Sequence, residues 1–387
     1  MAELEIGIGK SGRRAYGFDD IAIVPSRRTR DPEDVDISWE IDAYRFDIPL
    51  MGAAMDGVVS PATAMEMGRL GGVGVLNLEG LWTRYEDPEP LFEEISTLDN
   101  DKATARMQQI YQEPIKPELI VQRIREIKDA GYTSCASLTP QRVELFAKQI
   151  VEADLDLFVI QGTVVSAEHV SKTVEPLNLK RFIREFEIPV IVGGCASYQA
   201  ALHLMRTGAI GVLVGVGPGN ACTTRGVLGV GVPQATAIAD AAGARMRHLD
   251  ETGVYVQVIA DGGMSKGGDI AKAIACGADA VMIGSPLAAA HEAPGRGYHW
   301  GMATFHATLP RGARIKVGRL GTLQEIVTGP AHENDGRLNL MGALRTSMAT
   351  CGYESVKEFQ KAEVMIAPAL QTEGKAHQRE QRVGMGH

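Results

Sequence analysis

The sequence lacks both a long hydrophobic run and a cationic tract. No stretch approaches the ~18 uninterrupted apolar residues that a membrane helix needs, and the N-terminus has no apolar segment typical of a signal peptide. The net charge is −9, and the one basic cluster, Ser26 to Arg30, is short enough to be a solvated loop. These absences predict a cytoplasmic protein that binds neither a membrane nor nucleic acid.

Cysteine is scarce and scattered. The five cysteines, at positions 135, 195, 222, 276 and 351, form no C-x-x-C pair and no cluster with histidine at zinc spacing. Neither a disulfide framework nor a structural zinc site is therefore indicated. We interpret four of the five as small buried hydrophobic residues. Cys222 differs from the others, because glycines and polar residues surround it.

The sequence does contain a repeated alternation of short β-branched runs and helical patterns. We predict eight buried parallel strands, at residues 48–55, 71–76, 134–138, 157–162, 189–194, 211–217, 256–263 and 280–285. Helical patterns separate most of them, and one begins with Ser60 as N-cap and Pro61 as first helical residue. Strand and helix alternating eight times over about 240 residues predicts a (β/α)8 TIM barrel. A doubly wound open sheet is the alternative, but no G-x-G-x-x-G follows the first strand.

The domain organisation follows from the segments outside this alternation. We predict one catalytic domain over residues 1–370 and a polar, disordered tail over 371–387. Residues 82–130 are charged and contain proline, which predicts a loop and one helix, too little for another domain. After the eighth strand, residues 291–321 are predicted to form a flap over the barrel mouth.

Glycine-rich turns follow the seventh and eighth predicted strands, ADGGMSKGGD (260–269) and GSP (284–286). The loops at these two places in a (β/α)8 barrel often hold a phosphate. Glycines let backbone N–H groups approach phosphate oxygens closely, so we predict a nucleotide or another phosphorylated ligand rather than plain tight turns. Asp261, which precedes both glycines of the first turn, is suited to accept hydrogen bonds from sugar hydroxyls.

The stretch GVGPGNACTTRGV, residues 215–227, places a thiol directly after a glycine-rich backbone. Such a loop can turn its carbonyls toward a cation and let a flat ring lie against it. A thiolate at the barrel mouth can attack an electrophilic carbon and form a covalent intermediate. Thr223 and Thr224 can donate or relay protons there. The pattern therefore favours Cys222 as a nucleophile.

Five blocks of the chain resemble the IMP dehydrogenase/GMP reductase family. They are YGFDDIAIVPS, IPLMGAAMDGVVSPATAMEMGRLGGVGVL, GVGPGNACTTRGVLGVGVPQATAI, VIADGGMSKGGDIAKAIACGADAVMIGSPLA and GTLQEIVTGPAHENDGRLNLMGALRTSMATCGYESVKEF. Together they cover most of the chain from Tyr16 to about Ala367, and the overall pattern is most similar to the IMP dehydrogenase-related branch. Residues 82–130 are too short for the regulatory modules that family dehydrogenases insert in the barrel.

The resemblance implies a purine nucleotide monophosphate, GMP or IMP, at the barrel mouth. Cys222 would attack purine C2, and Thr224 would assist proton transfer. Substrate-binding positions would be Met55, Asn220, Asp261, Gly262, Gly263, Gly284, Ser285, Tyr298, Gly301 and Met302. Contacts to an NAD(P) cofactor would come from Gln161, Gly162, Thr163, Gly194, Gly215 and Gly217. The carbonyls of Gly217, Gly219 and Cys222 resemble the family's site for a monovalent cation such as K⁺, and a homotetramer or octamer is expected.

Departures from the family pattern bear on the direction of the reaction. Family dehydrogenases carry on the flap an Arg-Tyr pair whose arginine activates water, and ATFHATL (303–309) contains none. Family reductases carry a glutamate that helps to protonate departing ammonia, where this chain has Arg311. Gln161 stands where an aspartate is expected to touch the cofactor. Because losing a hydrolytic base costs about 10²–10⁴-fold in rate, we predict a GMP reductase that converts GMP to IMP and ammonia with NADPH.

Three alternatives stay open at this point. One is an IMP dehydrogenase with a substituted base, which would use NAD⁺. Another is a catalytically silent purine-nucleotide-binding regulator, and a third is an FMN-dependent barrel oxidoreductase, because paired glycine-rich turns also hold the FMN phosphate. In a reductase, another residue such as Glu292 or His306 would take over the proton role of the missing glutamate.

Overall fold

The computed structural model describes residues 3–173, 175–301, 314–370 and 372–386. Two antiparallel hairpins and one strand that pairs near the C-terminus come first in the chain. These strands are β1 (Glu3–Gly7), β2 (Lys10–Arg13), β3 (Ile21–Ile23), β4 (Trp39–Ile41) and β5 (Tyr44–Phe46). The β4–β5 hairpin contributes Trp39, Ile41 and Phe46 to the core inside the barrel.

Eight parallel strands then form a closed barrel in chain order. They are β6 (Leu50–Gly52), β7 (Val73–Asn77), β8 (Cys135–Leu138), β9 (Leu157–Gln161), β10 (Val190–Cys195), β11 (Gly211–Val214), β12 (Gln257–Asp261) and β13 (Ala280–Ile283). The last strand pairs with the first, for example Met282 with Met51, which closes the ring. This arrangement confirms the predicted (β/α)8 barrel.

The strand sequences divide their apolar residues between two cores. In β11, Val212 and Val214 pack in the core between barrel and helices, whereas Leu213 packs in the core inside the barrel. Successive side chains of a strand point to opposite faces, so this β-branched run fills both cores at once. All three side chains are fully buried. The same division holds for Val258 and Ile259 in β12.

Helices cover the outside of the barrel and the connections that follow it. In the described ranges they are α1 (Pro61–Arg69), α2 (Glu89–Thr97), α3 (Asn100–Ile110), α4 (Pro117–Asp129), α5 (Val143–Glu152), α6 (Leu179–Glu185), α7 (Tyr198–Met205), α8 (Thr224–Leu228), α9 (Gln234–Thr252), α10 (Gly267–Ala275), α11 (Ser285–Ala288), α12 (Leu323–Val327), α13 (Leu340–Thr350), α14 (Val356–Phe359) and α15 (Ala376–Gln381). Helix α1 begins as predicted, since Ser60 Oγ accepts the Thr63 N–H at 3.0 Å and Pro61 is its first residue. None of the described helices is long and apolar enough to cross a membrane.

The prediction of a loop and one helix for residues 82–130 is wrong. This segment contains α2, α3 and α4. Each of the first two helices buries only two or three apolar residues, such as Phe92 and Ile95 in α2. The prolines at 88 and 90 indicated a loop, but both lie at the start of α2, where proline is compatible with a helix.

The predicted flap and tail are described only in part. Strands β14 (Tyr298–His299) and β15 (Ile315–Lys316) pair on either side of residues 302–313, which lie outside the described residues. Strand β16 (Val364–Ile366) pairs with β3 and joins the two ends of the chain. Where we expected a disordered tail, the structure has the short helix α15, none of whose residues is buried. The division of the chain at residue 370 stays a prediction.

Candidate active site

A cavity of about 530 Å³ opens at the carboxyl ends of the barrel strands. Residues at the ends of every barrel strand except β10 line it, together with His299 and Gly301. This is the end of a (β/α)8 barrel that carries active sites, because the loops after the strands meet there. The cavity therefore marks the candidate active site.

Most of the predicted site residues come together in this cavity. Its lining includes Met55, Gln161, Gly162, Thr163, Gly215, Gly217, Gly219, Asn220, Cys222, Thr224, Asp261, Gly262, Gly263, Gly284, Ser285 and Gly301. Two predicted residues do not line it, Tyr298 and Gly194. Gly194 instead contacts a residue of the lining, because its backbone N–H donates to the carbonyl of Gly162 at 3.0 Å. Met302, His306 and Arg311 lie outside the described residues.

The Cys222 thiol is the exposed sulfhydryl of the site. Its Sγ lies 3.1 Å from Oγ1 of Thr224, which is buried at the start of α8. Cys222 is exposed, whereas Cys135, Cys195 and Cys351 are buried, as predicted for them, and Cys276 is half-buried. Burial raises the pKa of Cys195 to about 12 and that of Cys276 to about 11. Cys222 is also the cysteine that lines the cavity, so its sulfur is accessible to a ligand bound there.

The loop that carries Cys222 is held by its own backbone and by Arg225. Gly217 has a φ of +73°, and a Cβ there would come within 2.8 Å of Arg225 Cγ. Arg225 in turn donates to the carbonyls of Val216, at 3.2 Å, and Val232, at 2.7 Å. The Gly219 carbonyl accepts the Cys222 N–H at 3.0 Å. Only glycine fits the left-handed, crowded position at 217 without strain.

Asp261 ends β12 with its side chain beside Gln161 at the end of β9. Gln161 Nε2 donates to Asp261 Oδ2 at 3.0 Å. Burial raises the pKa of Asp261 to about 7, and this hydrogen bond offsets the effect only in part. Gln234 Nε2 donates to the carbonyls of Val214, at 3.0 Å, and Asp261, at 3.1 Å, and so joins the ends of β11 and β12. Gln234 thus holds the backbone at Asp261, and within the described residues Gln161 is the side-chain donor to its carboxyl group.

Ser285 contacts side chains from two other segments of the chain, the Cys222 loop and strand β14. Asn220 Nδ2 donates to Ser285 Oγ at 3.3 Å, and Ser285 Oγ lies 3.0 Å from His299 Nε2. His299 is 1% exposed, and burial lowers its pKa to about 4, so its ring is neutral at pH 7. This cluster connects the Cys222 loop, the turn after β13 and strand β14.

His299 takes the place in the cavity that we expected for Tyr298. The Tyr298 ring instead stacks on Arg314, whose guanidinium carbon lies 4.3 Å from the ring centroid. Arg314 is fixed by the carbonyl of Leu98, at 2.6 Å, and by Oδ1 of Asn100, at 2.9 Å. Adjacent residues of a strand point to opposite sides, so only one of the two aromatic residues of β14 can face the cavity.

Sequence reasoning missed the wall of the cavity that β7 and β8 provide. Asn77, Glu79, Ser137 and Thr139 line the cavity at the ends of these two strands. Glu79 Oε1 accepts the Thr139 N–H at 2.7 Å, and Asn77 Oδ1 accepts the Glu79 N–H at 3.0 Å. Their position directly at the ends of two predicted strands was a signal that could have identified them.

Glu292, considered for a proton role, lies outside the cavity. It is exposed, and its Oε2 accepts the Leu323 N–H at 2.9 Å at the start of α12. A carboxylate at a helix N-terminus satisfies a backbone donor, so a structural role accounts for this residue.

Comparison of the sequence with those of known proteins identifies a family and several relatives. Residues 15–377 match the sequence model of the IMP dehydrogenase/GMP reductase domain. An uncharacterised oxidoreductase of Mycobacterium tuberculosis is 49% identical over 372 residues, which cover 94% of this chain and 99% of that protein. The inosine-5'-monophosphate dehydrogenase of Methanocaldococcus jannaschii is 28% identical and is covered over 95% of its length.

A solved structure is similar over the same extent. The crystal structure of an IMP dehydrogenase/GMP reductase-like protein from Corynebacterium glutamicum is 45% identical, with a TM-score of 0.88, covering 94% of this chain and 97% of that one. The fold, the sequence of the Cys222 loop and the relatives all indicate the same family, and the matches cover nearly the whole chain. The chain therefore belongs to the IMP dehydrogenase/GMP reductase family of oxidoreductases.

Proposed function

We propose that this protein is a GMP reductase, which converts GMP to IMP and ammonia with NADPH as reductant. One observation carries the proposal. The exposed Cys222 thiol lies 3.1 Å from the Thr224 hydroxyl in a cavity whose lining, over the described part of the chain, contains no arginine and no lysine. The sequence of the flap lacks the Arg-Tyr pair as well. Hydrolysis of a covalent purine adduct needs a group that activates water, whereas reduction of the same adduct does not.

The first half-reaction replaces the guanine amine by the enzyme's sulfur. Cys222 Sγ adds to purine C2, and the C2–N bond to the exocyclic amine breaks. The thiol proton passes through the Thr224 hydroxyl to the leaving amine, so ammonia departs as a neutral molecule. The product is a thioimidate that joins Cys222 to C2 of the purine ring.

The second half-reaction restores the thiol. NADPH supplies a hydride to purine C2, and a solvent proton completes the balance. The C2–S bond breaks as the C2–H bond forms, and the electron pair of that bond returns to sulfur. Cys222 then takes up the proton and is ready for the next cycle. GMP, NADPH and one proton become IMP, ammonia and NADP⁺, without a water molecule as reactant.

The remaining substrate contacts follow the shape of the site. Gly263, Gly284 and Ser285 would hold the phosphate through backbone N–H groups and a hydroxyl, next to the neutral His299 ring. Asp261 would accept hydrogen bonds from the ribose hydroxyls, and these bonds would favour its charged form and lower its pKa from about 7. Met55 would pack near the purine ring.

Two further features belong to the proposal. A monovalent cation, K⁺ by preference, would be held by the carbonyls of Gly217, Gly219 and Cys222, and it would order the loop without entering a chemical step. The Gly219 carbonyl retains a lone pair beyond the one that accepts the Cys222 N–H. We also propose assembly as a homotetramer or octamer, as expected from the family resemblance.

The test is a pair of assays on the purified protein. With GMP and NADPH, we expect loss of reduced-nicotinamide absorbance together with equal amounts of IMP and ammonia. With IMP and NAD⁺, we expect no reduced cofactor. Formation of NADH and XMP in the second assay would replace the reductase by a dehydrogenase. Tight binding of GMP with no turnover in either assay would support a silent regulator, and a flavin spectrum would support an FMN enzyme.

A further inference from the structure

The wall formed by Asn77 and Glu79 lies across the barrel mouth from the Cys222 loop. Around the closed barrel, β7 is four strands away from β11 in either direction. The Cys222 loop follows β11, and Asn77 is the last residue of β7. In an eight-stranded barrel, strands four apart are diametrically opposed. A purine held at Cys222, with its phosphate at the ends of β12 and β13, leaves this opposite wall free to contact one end of the second reactant, in addition to the cofactor contacts expected at Gln161 and Gly217.

Glu79 presents a fixed carboxylate to the cavity. It is 7% exposed, and its Oε1 accepts the Thr139 N–H at 2.7 Å. Its backbone is held as well, because Arg84 Nε donates to the Glu79 carbonyl at 3.1 Å. The second oxygen, Oε2, lies 4.0 Å from Arg142 Nε, which is too long for a hydrogen bond. One carboxylate oxygen therefore remains able to accept a hydrogen bond from a ligand.

Asn77 adds a donor next to this acceptor. Its side chain is 6% exposed, and its Oδ1 accepts the Glu79 N–H at 3.0 Å. Its Nδ2 is buried and has no partner within the described ranges. Leaving a buried N–H unpaired costs about 1–3 kcal/mol, so a ligand that supplies an acceptor would be favoured. Asn77 lines the cavity, so a small movement of its side chain would present this N–H to an acceptor there.

A carboxylate oxygen and an amide N–H on linked neighbouring residues complement a primary carboxamide. Such a group donates through its NH₂ and accepts through its carbonyl oxygen. We propose that Asn77 and Glu79 bind the carboxamide of the nicotinamide ring, with Glu79 accepting from the NH₂ group and Asn77 donating to the carbonyl. The inference rests on the proposed function, which brings a nicotinamide dinucleotide to this cavity. The two residues would fix which face of the ring is turned toward Cys222.

Equilibrium binding of two dinucleotides tests this assignment. One is NADPH, and the other is its 3-acetylpyridine analogue, which has a methyl group in place of the NH₂ and keeps the carbonyl. Dissociation constants are measured by dinucleotide fluorescence, with IMP present, for the wild type and for Glu79→Leu and Asn77→Ala. Glu126→Gln, on the outer surface of α4, is the control for loss of a carboxylate away from the cavity.

The two variants have different expected signatures. The wild type should bind NADPH at least about 10-fold more tightly than the analogue, since a hydrogen bond to a charged group is lost. Glu79→Leu should weaken NADPH binding by about that factor and bind both dinucleotides alike. Asn77→Ala should weaken both by the same factor, because both keep the carbonyl. Glu126→Gln should behave as the wild type.

Three outcomes would overturn the inference. One is a Glu79→Leu protein, folded by circular dichroism, that still prefers NADPH to the analogue as the wild type does. Another is a loss of GMP affinity in both variants with unchanged dinucleotide binding, which would place this wall on the nucleotide. A wild type that binds GMP but neither NADPH nor NADH would refute the proposed function along with it, whereas the first two outcomes leave that function standing.

Discussion

Asp261 ends β12, and Asp279 lies directly before the neighbouring strand β13. The two carboxyl groups differ in their hydrogen-bond partners and in the direction in which the protein shifts their pKa. Asp279 lies directly before β13, at the amino end of the barrel, and is fully buried. Its carboxylate accepts hydrogen bonds from Arg245, Tyr255, Val258, Lys357 and Gln360, at 2.6–2.8 Å. Burial alone would raise its pKa, but Arg245 and Lys357 outweigh this effect and hold the pKa below its usual value.

Asp261, at the carboxyl end of β12, has one side-chain donor, Gln161, and its pKa is raised to about 7. The comparison shows that the carboxyl group with few hydrogen-bond partners lies at the end of the barrel that carries the cavity, not at the amino end. At the amino end both oxygens of the Asp279 carboxylate are satisfied by the protein, so the group contributes stability. At the mouth the described residues give the carboxyl group Gln161 as its side-chain donor, and under the proposed function the ribose hydroxyls would supply further donors.

The largest effect is expected from Cys222→Ala. The variant should lose about 10⁴-fold or more in kcat with GMP and NADPH, because the covalent route disappears with the sulfur. Its free energy of unfolding should stay within about 0.5 kcal/mol of the wild type, since the side chain is exposed. Steady-state kinetics and urea unfolding measure both. Cys276→Ala is the control and should keep its kcat; equal losses in both variants would contradict the assignment of Cys222.

Asp279→Asn tests the other end of the barrel. We expect a loss of about 3–5 kcal/mol in the free energy of unfolding, because Arg245 and Lys357 would keep their charges beside a neutral side chain. The folded fraction should retain the wild-type KM for GMP, since this network lies at the end opposite to the cavity. Urea unfolding followed by kinetics at low denaturant is the measurement. An unchanged unfolding midpoint would show that the network is not stabilising.

Asp261→Asn should change stability in the opposite direction. An unfolded aspartate has a pKa of about 3.9, whereas burial raises the pKa of Asp261 to about 7 in the folded protein. The native state therefore holds an extra proton between these two pH values, and its stability falls as pH rises from about 4 to about 7. Asparagine removes this loss, so the variant should be more stable at pH 8 by on the order of 4 kcal/mol and no different at pH 4. Urea unfolding at the two pH values measures the difference.

The Asp261→Asn variant should bind the nucleotide more weakly although it is more stable at pH 8. Asparagine cannot provide the charged acceptor that the ribose hydroxyls would meet, so the KM for GMP should rise by about 10-fold or more. Binding of GMP to the Cys222→Ala protein as a function of pH isolates the effect, because that background has no thiol at the site. Affinity should fall below about pH 7 when Asp261 is present, and this fall should be absent when Asp261→Asn is added. Equal pH profiles would contradict the role of Asp261.

The smallest effect is expected at the mouth itself, from Ser60→Ala. Ser60 caps α1 just after the loop that carries Met55, with its Oγ 3.0 Å from the Thr63 nitrogen. Loss of this cap should cost about 1 kcal/mol of stability and leave KM and kcat unchanged. Ser197→Ala, at the N-cap of α7, is the matched control. A change in KM for GMP would show that the cap also positions the cavity.

The prediction from sequence worked best where one local pattern dominates. The β-branched runs specify strands buried on both faces, and their alternation with helices leaves few folds other than the barrel. It failed at α2 and α3, which bury few apolar residues, and Phe92 of α2 packs against Trp82 and Trp300 in contacts that a local pattern does not show. It also missed Asn77 and Glu79, although their position just after the second predicted strand was a signal; their hydrogen bond to each other is visible only in the folded barrel.

The choice between Tyr298 and His299 shows the same limit at one position. The resemblance implied Tyr298, but strand pairing of β14 with β15 and the stacking of Tyr298 on Arg314 turn His299 to the cavity. Residues adjacent in sequence differ only in which face of the strand they occupy, and partners distant in the chain decide that face.

By itself the sequence determined the barrel, the glycine-rich turns at the ends of the last two strands and the cysteine loop, because each depends on residues close together in the chain. Only the tertiary structure decided the raised pKa of Asp261, the exclusion of Tyr298 from the cavity lining and the hydrogen bond between Asn77 and Glu79. These depend on burial and on side chains that the fold brings together, and desolvation and hydrogen bonding act between groups that are close in space whatever their separation along the chain.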